Sequence, residues 1–148
     1  MHSLRTLLIA GLALFALSCD VATAADKVHR LALQISDNDP DKMTAVLNVA
    51  ANVSKLYGDK AEQVEIRIVA FNAGLHMLRT DTSPVKDRVA GFSQSMPNVT
   101  FNACQNTIDG MTKREGKAPP IAPNATFVPA GVVTLIELSE AGWTIVRP

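Results

Sequence analysis

Two apolar runs with little alternation, residues 28–35 (VHRLALQI) and 64–71 (VEIRIVAF), constrain the fold of this chain most tightly. Strands covered on both sides of a sheet read this way, because side chains on either face meet a packed layer. The stretch between them carries helix signals. Asp39-Pro40 reads as an N-cap with proline at the first helical position. Met43, Val46, Leu47, Ala50, Val53 and Tyr57 recur at helical spacing, and Gly58 is the expected stop. The alternation then repeats. After a short segment at 75–78, Ser83-Pro84 should cap a helix with Val85, Val89, Phe92 and Met96 on one face. Residues 99–103 make a third strand that runs into Cys104, and 107–113 a short helix closed near Gly116. Residues 117–124 are proline-rich and are expected to form an exposed loop. A fourth strand at 125–128, a largely buried helix at 132–140 ending at Gly142, and a last strand at 143–146 complete the pattern. Strands alternating with helices predict an α/β fold, a flavodoxin-like doubly wound, mostly parallel sheet of about five strands with helices on both faces.

Residues 1–24 read as a targeting segment outside that domain. Arg5 supplies a positive start, residues 7–17 an apolar stretch, and Ala22-Thr23-Ala24 an A-x-A cleavage signal. The stretch is short of the roughly 20 apolar residues a membrane-spanning helix needs. The chain therefore divides into a signal peptide, 1–24, and an α/β domain, 25–148. A periplasmic or secreted protein is expected, with no stable membrane insertion after cleavage. Cys19 raises the alternative of lipid anchoring. A lipobox usually has leucine three positions before its cysteine, and here that position is Ala16, so soluble export is the expectation.

The chain has 14 basic and 14 acidic residues. Cleavage removes one of each, Arg5 and Asp20, and leaves the balance neutral, which argues against nucleic acid or an anionic membrane as a partner. Cleavage also leaves Cys104 as the sole cysteine, so no intramolecular disulfide can form. A single thiol in an oxidising compartment must be buried, paired with another chain, or used.

In open parallel sheets ligands bind at the carboxyl ends of the strands. Asp37, Asn38, Asn72, His76, Cys104, Asn106 and Thr107 all lie just past strand ends and should gather at one rim. Cys104 is the leading candidate. It stands at a strand-to-helix junction, where backbone N–H groups and the helix dipole would favour the reactive thiolate. The plainer alternative is a packed, inert thiol, since free cysteine is among the most buried residue types. His76 is a candidate proton partner for Cys104, whereas His29 at the start of the first strand reads as structural. Methionines 43, 77, 96 and 111 do not make a metal site. Met43 and Met96 fall on apolar helix stripes, and no closely spaced ligand motif occurs. Three glycosylation sequons, at Asn52, Asn98 and Asn124, read as incidental.

The segment Phe101-Asn102-Ala103-Cys104-Gln105-Asn106-Thr107 resembles the F-x-x-C-x-N-T segment of DsrE/DsrF-like proteins, the sulfur-relay superfamily. HRLALQISDNDPDKMTAVLNVAANV resembles that family's first strand, loop and helix, and VEIRIVAFNAGLHML its second strand and Gly-Leu loop. VPAGVVTLIELSEAGWTIVRP is similar to its V-P-x-G-V, helix and closing strand. The resemblance, spread over residues 28–148, implies a flavodoxin-like sandwich that assembles into trimers or hexamers. It also implies that a cysteine at the Cys104 position carries a persulfide. This chain looks closer to the exported, single-domain branch than to the cytoplasmic complexes.

Two functions follow. In the first, a periplasmic sulfur carrier or sulfurtransferase-like protein takes sulfane sulfur from a donor onto Cys104 and passes it to an acceptor. Asn38, Asn72, Asn106 and Thr107 contribute to binding, His76 assists, and no cofactor is needed. In the second, a non-catalytic small-ligand or assembly module holds a structural cysteine. Residues 132–138 are apolar around most of the helix circumference, which suits a homo-oligomeric interface.

Overall fold

The computed structural model describes residues 27–148. The signal-peptide reading of 1–24 and the question of Cys19 lie outside the described residues. The elements run β1 (Val28–Ile35), α1 (Pro40–Asp59), β2 (Gln63–Ala70), a 3₁₀ segment (Asn72–Leu78), α2 (Lys86–Ser95) and β3 (Val99–Cys104). They continue with α3 (Gln105–Glu115), β4 (Ala125–Val128), α4 (Gly131–Glu140) and β5 (Thr144–Val146). All five strands are parallel, in the order β4-β3-β2-β1-β5. The protein is a doubly wound, flavodoxin-like α/β sandwich.

That order dictates where the helices go. The steps from β1 to β4 all cross the sheet in one direction, so right-handed connections stack α1, α2 and α3 on one face. The return from β4 to β5 runs the other way and lays α4 on the opposite face. The cores divide accordingly. Leu33, Ile66, Ile68 and Phe101 of the sheet pack under Met43 and Leu47 of α1, Val89 and Phe92 of α2, and Ile108 and Met111 of α3. On the α4 face, Ala32, Val69 and Cys104 meet Leu135, Leu138 and Trp143.

The thin cover corrects the expectation of strands buried on both faces along their whole length. Arg30, Glu65 and Arg67, on the α4 side, are exposed. Arg67 lies over the Trp143 ring, 4.9 Å from its centroid. Only the carboxyl halves of the strands, nearest the rim, are covered twice.

Local signals mostly act where expected. The Asp39 carboxylate accepts from the Asp41 N–H at 2.9 Å and the Lys42 N–H at 3.3 Å, with Pro40 opening α1. Gly116 closes α3 with φ 73°. Gly58 does not stop α1, which runs on through Asp59; the left-handed residue after it is Ala61, φ 55°. Ser83 does not cap α2 directly, since the N-cap is Val85. The Ser83 hydroxyl donates to the Met77 carbonyl at 2.8 Å and accepts from the Val85 N–H at 3.3 Å. The 117–124 segment is not simply exposed. The Thr80 N–H donates to the Pro120 carbonyl and the Ala122 N–H to the Leu78 carbonyl, which docks the loop and buries Ala122.

Candidate functional site

β3 and β4 are neighbours, yet the chain leaves β3 for α3 on one face and β4 for α4 on the other. Such a divergence opens a crevice at the carboxyl edge, the place where open α/β sheets bind ligands. A cavity of about 560 Å³ fills it. Cys104, Asn106 and Thr107 line one side and Ala130, Gly131 and Val132 the other, with Phe71 and Asn72 arriving from the end of β2.

Cys104 is the last residue of β3. Phe101 and Ala103 point toward α1–α3, so Cys104 points toward α4, where it is 4% exposed. Its Sγ accepts the Gly131 N–H at 3.3 Å. Gly131 opens α4, which has no side-chain cap, so the sulfur satisfies one of the N–H groups every helix leaves unpaired at its start. Cys104 is also the N-cap of α3, but its side chain makes no capping bond there. The helix that serves the sulfur is thus α4, 27 residues further along, rather than the one that follows the cysteine. Glycine is what permits this. A Cβ on residue 131 would stand 2.8 Å from the Phe71 Cβ, far inside contact distance.

The left-handed backbone of Asn72, φ 49°, turns its N–H onto the Thr107 Oγ1 at 2.9 Å. Asparagine is one of the few side chains that tolerate this region. The bond ties the end of β2 to the first turn of α3, and the Thr107 hydroxyl can still donate. Cys104, Asn72, Asn106 and Thr107 therefore share one cavity, as the rim argument anticipates.

Asn38 and His76 do not join them. They line an adjoining cavity of about 430 Å³ with Arg79 and Thr82. His76 Nδ1 donates to the Asn38 Oδ1, and its Nε2 lies 2.9 Å from the Thr82 Oγ1. Both ring nitrogens are engaged within that cavity, so the expected pairing of His76 with Cys104 is replaced by a His76–Asn38 pair. Arg79 beside it is already paired with two carboxylates. It donates to Asp81 at 2.9 and 2.8 Å and to Glu115 at 2.6 Å. Asp81 and then Glu115 hold the guanidinium proton even more firmly than usual, and Arg79 keeps both carboxyls below the usual range. Asp37 is likewise consumed. Lys42 and Arg147, at 2.9 and 2.6 Å, hold its carboxyl down and tie the end of β1 to the chain after β5.

Several lining residues escape the sequence reading. Ala130, Gly131 and Val132 follow the end of β4, so the rule that selects Cys104 also selects them. Thr107, Gly110, Met111 and Arg114 follow at i, i+3, i+4 and i+7, one face of α3. Asn102 is buried two residues before Cys104, and its Oδ1 has no partner among the described residues. Among the described residues no group of histidine, cysteine and carboxylate side chains could hold a metal ion.

No family model matches the chain, and no curated protein matches it. Among solved structures it is similar to a protein of unknown function, MTH1491 from Methanobacterium thermoautotrophicum. The identity is 28% and the TM-score 0.64, over 81% of this chain and 99% of that one. The α/β sandwich described above thus makes up nearly the whole of that protein.

Proposed function

We propose that this chain is a DsrE/DsrF-like sulfur carrier, exported after removal of residues 1–24, in which Cys104 holds a transferable sulfur atom. The observation that carries the reading is the position of the Cys104 Sγ. It lies in the crevice between diverging strands, bordering the 560 Å³ cavity, with the Gly131 N–H aimed at it from 3.3 Å. In the loading step the Cys104 thiolate attacks the outer sulfur of a donor R–S–SH. The new Sγ–S bond forms as the donor's S–S bond breaks, its electron pair leaves on R–S⁻, and the donor's proton ends on that thiolate. Cys104 becomes a persulfide anion, and no external oxidant or reductant enters. Passing the outer sulfur to an acceptor thiolate reverses the same bond changes. The N–H at the start of α4 and the Thr107 hydroxyl are suited to steady the anion.

Self-association belongs to this reading. Val132, Val133 and Ile136 on the outer side of α4 are 53%, 51% and 53% exposed. An apolar stripe on the one helix covering its face suits a homo-oligomeric contact, a trimer or hexamer. Light scattering should give a multiple of the monomer mass, and Ile136→Lys should lower it. A monomer at micromolar concentration would remove this part of the reading.

Intact-mass spectrometry tests the carrier. Incubation with a sulfane-sulfur donor should add the mass of one sulfur atom, or a multiple of it, that a reductant removes. Cys104→Ser should abolish the adduct, because a hydroxyl oxygen cannot form the persulfide. A native Cys104 that stays unmodified and reacts with iodoacetamide only in denaturant would establish a packed thiol and the non-catalytic reading.

A further inference from the structure

The cavity over Cys104 has a charge pattern and a length that the sulfur chemistry does not use. Among the described residues, Arg114 supplies the only formal charge in its lining, and no aspartate or glutamate lines it. Arg114 forms no ion pair among the described residues, whereas its neighbour Arg79, across the adjoining cavity, is held by two carboxylates. The α3 and α4 N-termini both open into the same crevice; neither N-cap residue supplies a side-chain bond to its own helix, and at α4 only the Gly131 N–H is taken, by the Cys104 Sγ. Their partial positive ends add to the guanidinium.

Distance narrows the ligand. A Cβ placed on Gly110 would stand 3.4 Å from Arg114 Nη1, so the guanidinium lies back along α3, over Gly110. Six residues of helix rise separate Gly110 from Cys104, roughly 9 Å. A bare oxyanion such as thiosulfate cannot span that distance between the sulfur and the arginine. A cavity of about 560 Å³ is in the range that holds an organic molecule. Phe71, Met111 and Val132 give it apolar walls.

We propose that the cavity binds a carboxylate-bearing, low-molecular-weight thiol of about tripeptide size, with its sulfur end at Cys104 and its carboxylate on Arg114. As a statement about the sulfur donor this rests on the carrier reading; as a statement about binding it does not. The probe is S-methylglutathione, which has the carboxylates and no transferable sulfur. Titrated into the native protein, it should give saturable amide shifts at Asn72, Thr107, Gly131 and Arg114. Arg114→Gln should weaken binding about tenfold or more, the usual consequence of removing a charged hydrogen-bond partner, and Arg114→Lys should restore part of it. Lys113→Gln, exposed on the same helix, should bind like the native protein. Equal binding by Arg114→Gln, no saturable shift, or tighter binding of thiosulfate than of S-methylglutathione would overturn the proposal. The two readings fail separately. Probe binding without any loading of Cys104 from glutathione persulfide would sink the carrier and keep this site. Loading that proceeds as fast in Arg114→Gln would keep the carrier and sink this site.

Discussion

Under α1, α2 and α3 the sheet buries a continuous apolar layer from Val64 to Phe101, while the face under α4 buries little more than its upper edge and leaves Arg30, Glu65 and Arg67 in solvent. The difference is a consequence of strand order. Three connections run one way across the sheet and one returns, so right-handed crossovers distribute the helices three to one. The reactive candidate sits on the thin side of this boundary. Cys104 belongs to the α4 cluster, and the cavity opens where the chain changes faces. The thick face gives the fold its stability, and the thin face leaves one helix whose N-terminus is free to serve a sulfur atom.

Truncating the same side chain on each face tests that contrast most directly. Leu47 of α1 is fully buried, and Leu135 of α4 retains 9% exposure. Leu47→Ala should cost about 3–5 kcal/mol and Leu135→Ala about 2–3 kcal/mol, because a cavity at a partly open site collapses or hydrates more easily. Urea unfolding gives both values. Equal losses would show that the α4 face carries as much of the fold as the other.

Two glycines sharpen the comparison next. On the thick face, a Cβ at Gly74 would stand 2.4 Å from the Ile35 carbonyl oxygen, a backbone atom with nowhere to turn. Gly74→Ala should therefore cost about 3 kcal/mol or more, the upper end for overpacking a site that cannot yield. On the thin face, Gly131→Ala presses on the Phe71 side chain, and lifting α4 can relieve it, so about 1–3 kcal/mol is expected. The relief moves the N–H away from Sγ. Alkylation of Cys104 should then slow by about tenfold, the loss of one charged hydrogen bond. Unchanged alkylation in a destabilised Gly131→Ala would mean that the α4 N-terminus only packs against the sulfur.

These positions also mark where the sequence stops being readable. Strand–helix alternation determines that the strands are parallel, and hence that Cys104, Asn72, Asn106 and Thr107 meet at one rim. Signals that act within a few residues, such as Asp39-Pro40 and Gly116, are legible for the same reason. Lateral strand order is not contained in the alternation. Without it, nothing separates Asn38 and His76 into their own cavity, and nothing identifies Gly131 of a distant helix as the donor to Cys104. The docking of 117–124 is hidden likewise, because it depends on backbone pairing with Leu78 and Thr80. Gly58 misleads because α1 runs one residue past it, to Asp59, with Lys60 as the C-cap and the left-handed turn on Ala61.

The smallest expected effect concerns the ion pairs at the rim, where the two faces are again served unequally. Arg79 with Asp81 and Glu115 locks the 3₁₀ segment to the end of α3 on the thick face, and Asp37 with Lys42 and Arg147 fastens the sheet edge at β5. All three carboxyls are held below their ordinary values, Asp81 and Glu115 chiefly by Arg79 and Asp37 chiefly by Lys42. A carboxyl depressed in the folded state binds protons more readily when the chain unfolds. Its contribution is therefore complete above the ordinary carboxylate value of about 4 and is lost as pH falls through the lower folded value. Melting temperature should hold between about pH 7 and 5 and drop below about pH 4, with the groups' exposure and added salt keeping the drop shallow. Arg79→Met releases Asp81 and Glu115 together, so its melting temperature should depend less on pH in that acidic window. Asp37→Asn removes a single depressed carboxyl and should flatten the profile less. An Arg79→Met profile parallel to that of the native protein would show that the rim pairs contribute nothing to folding, and that the thick face holds by its apolar core alone.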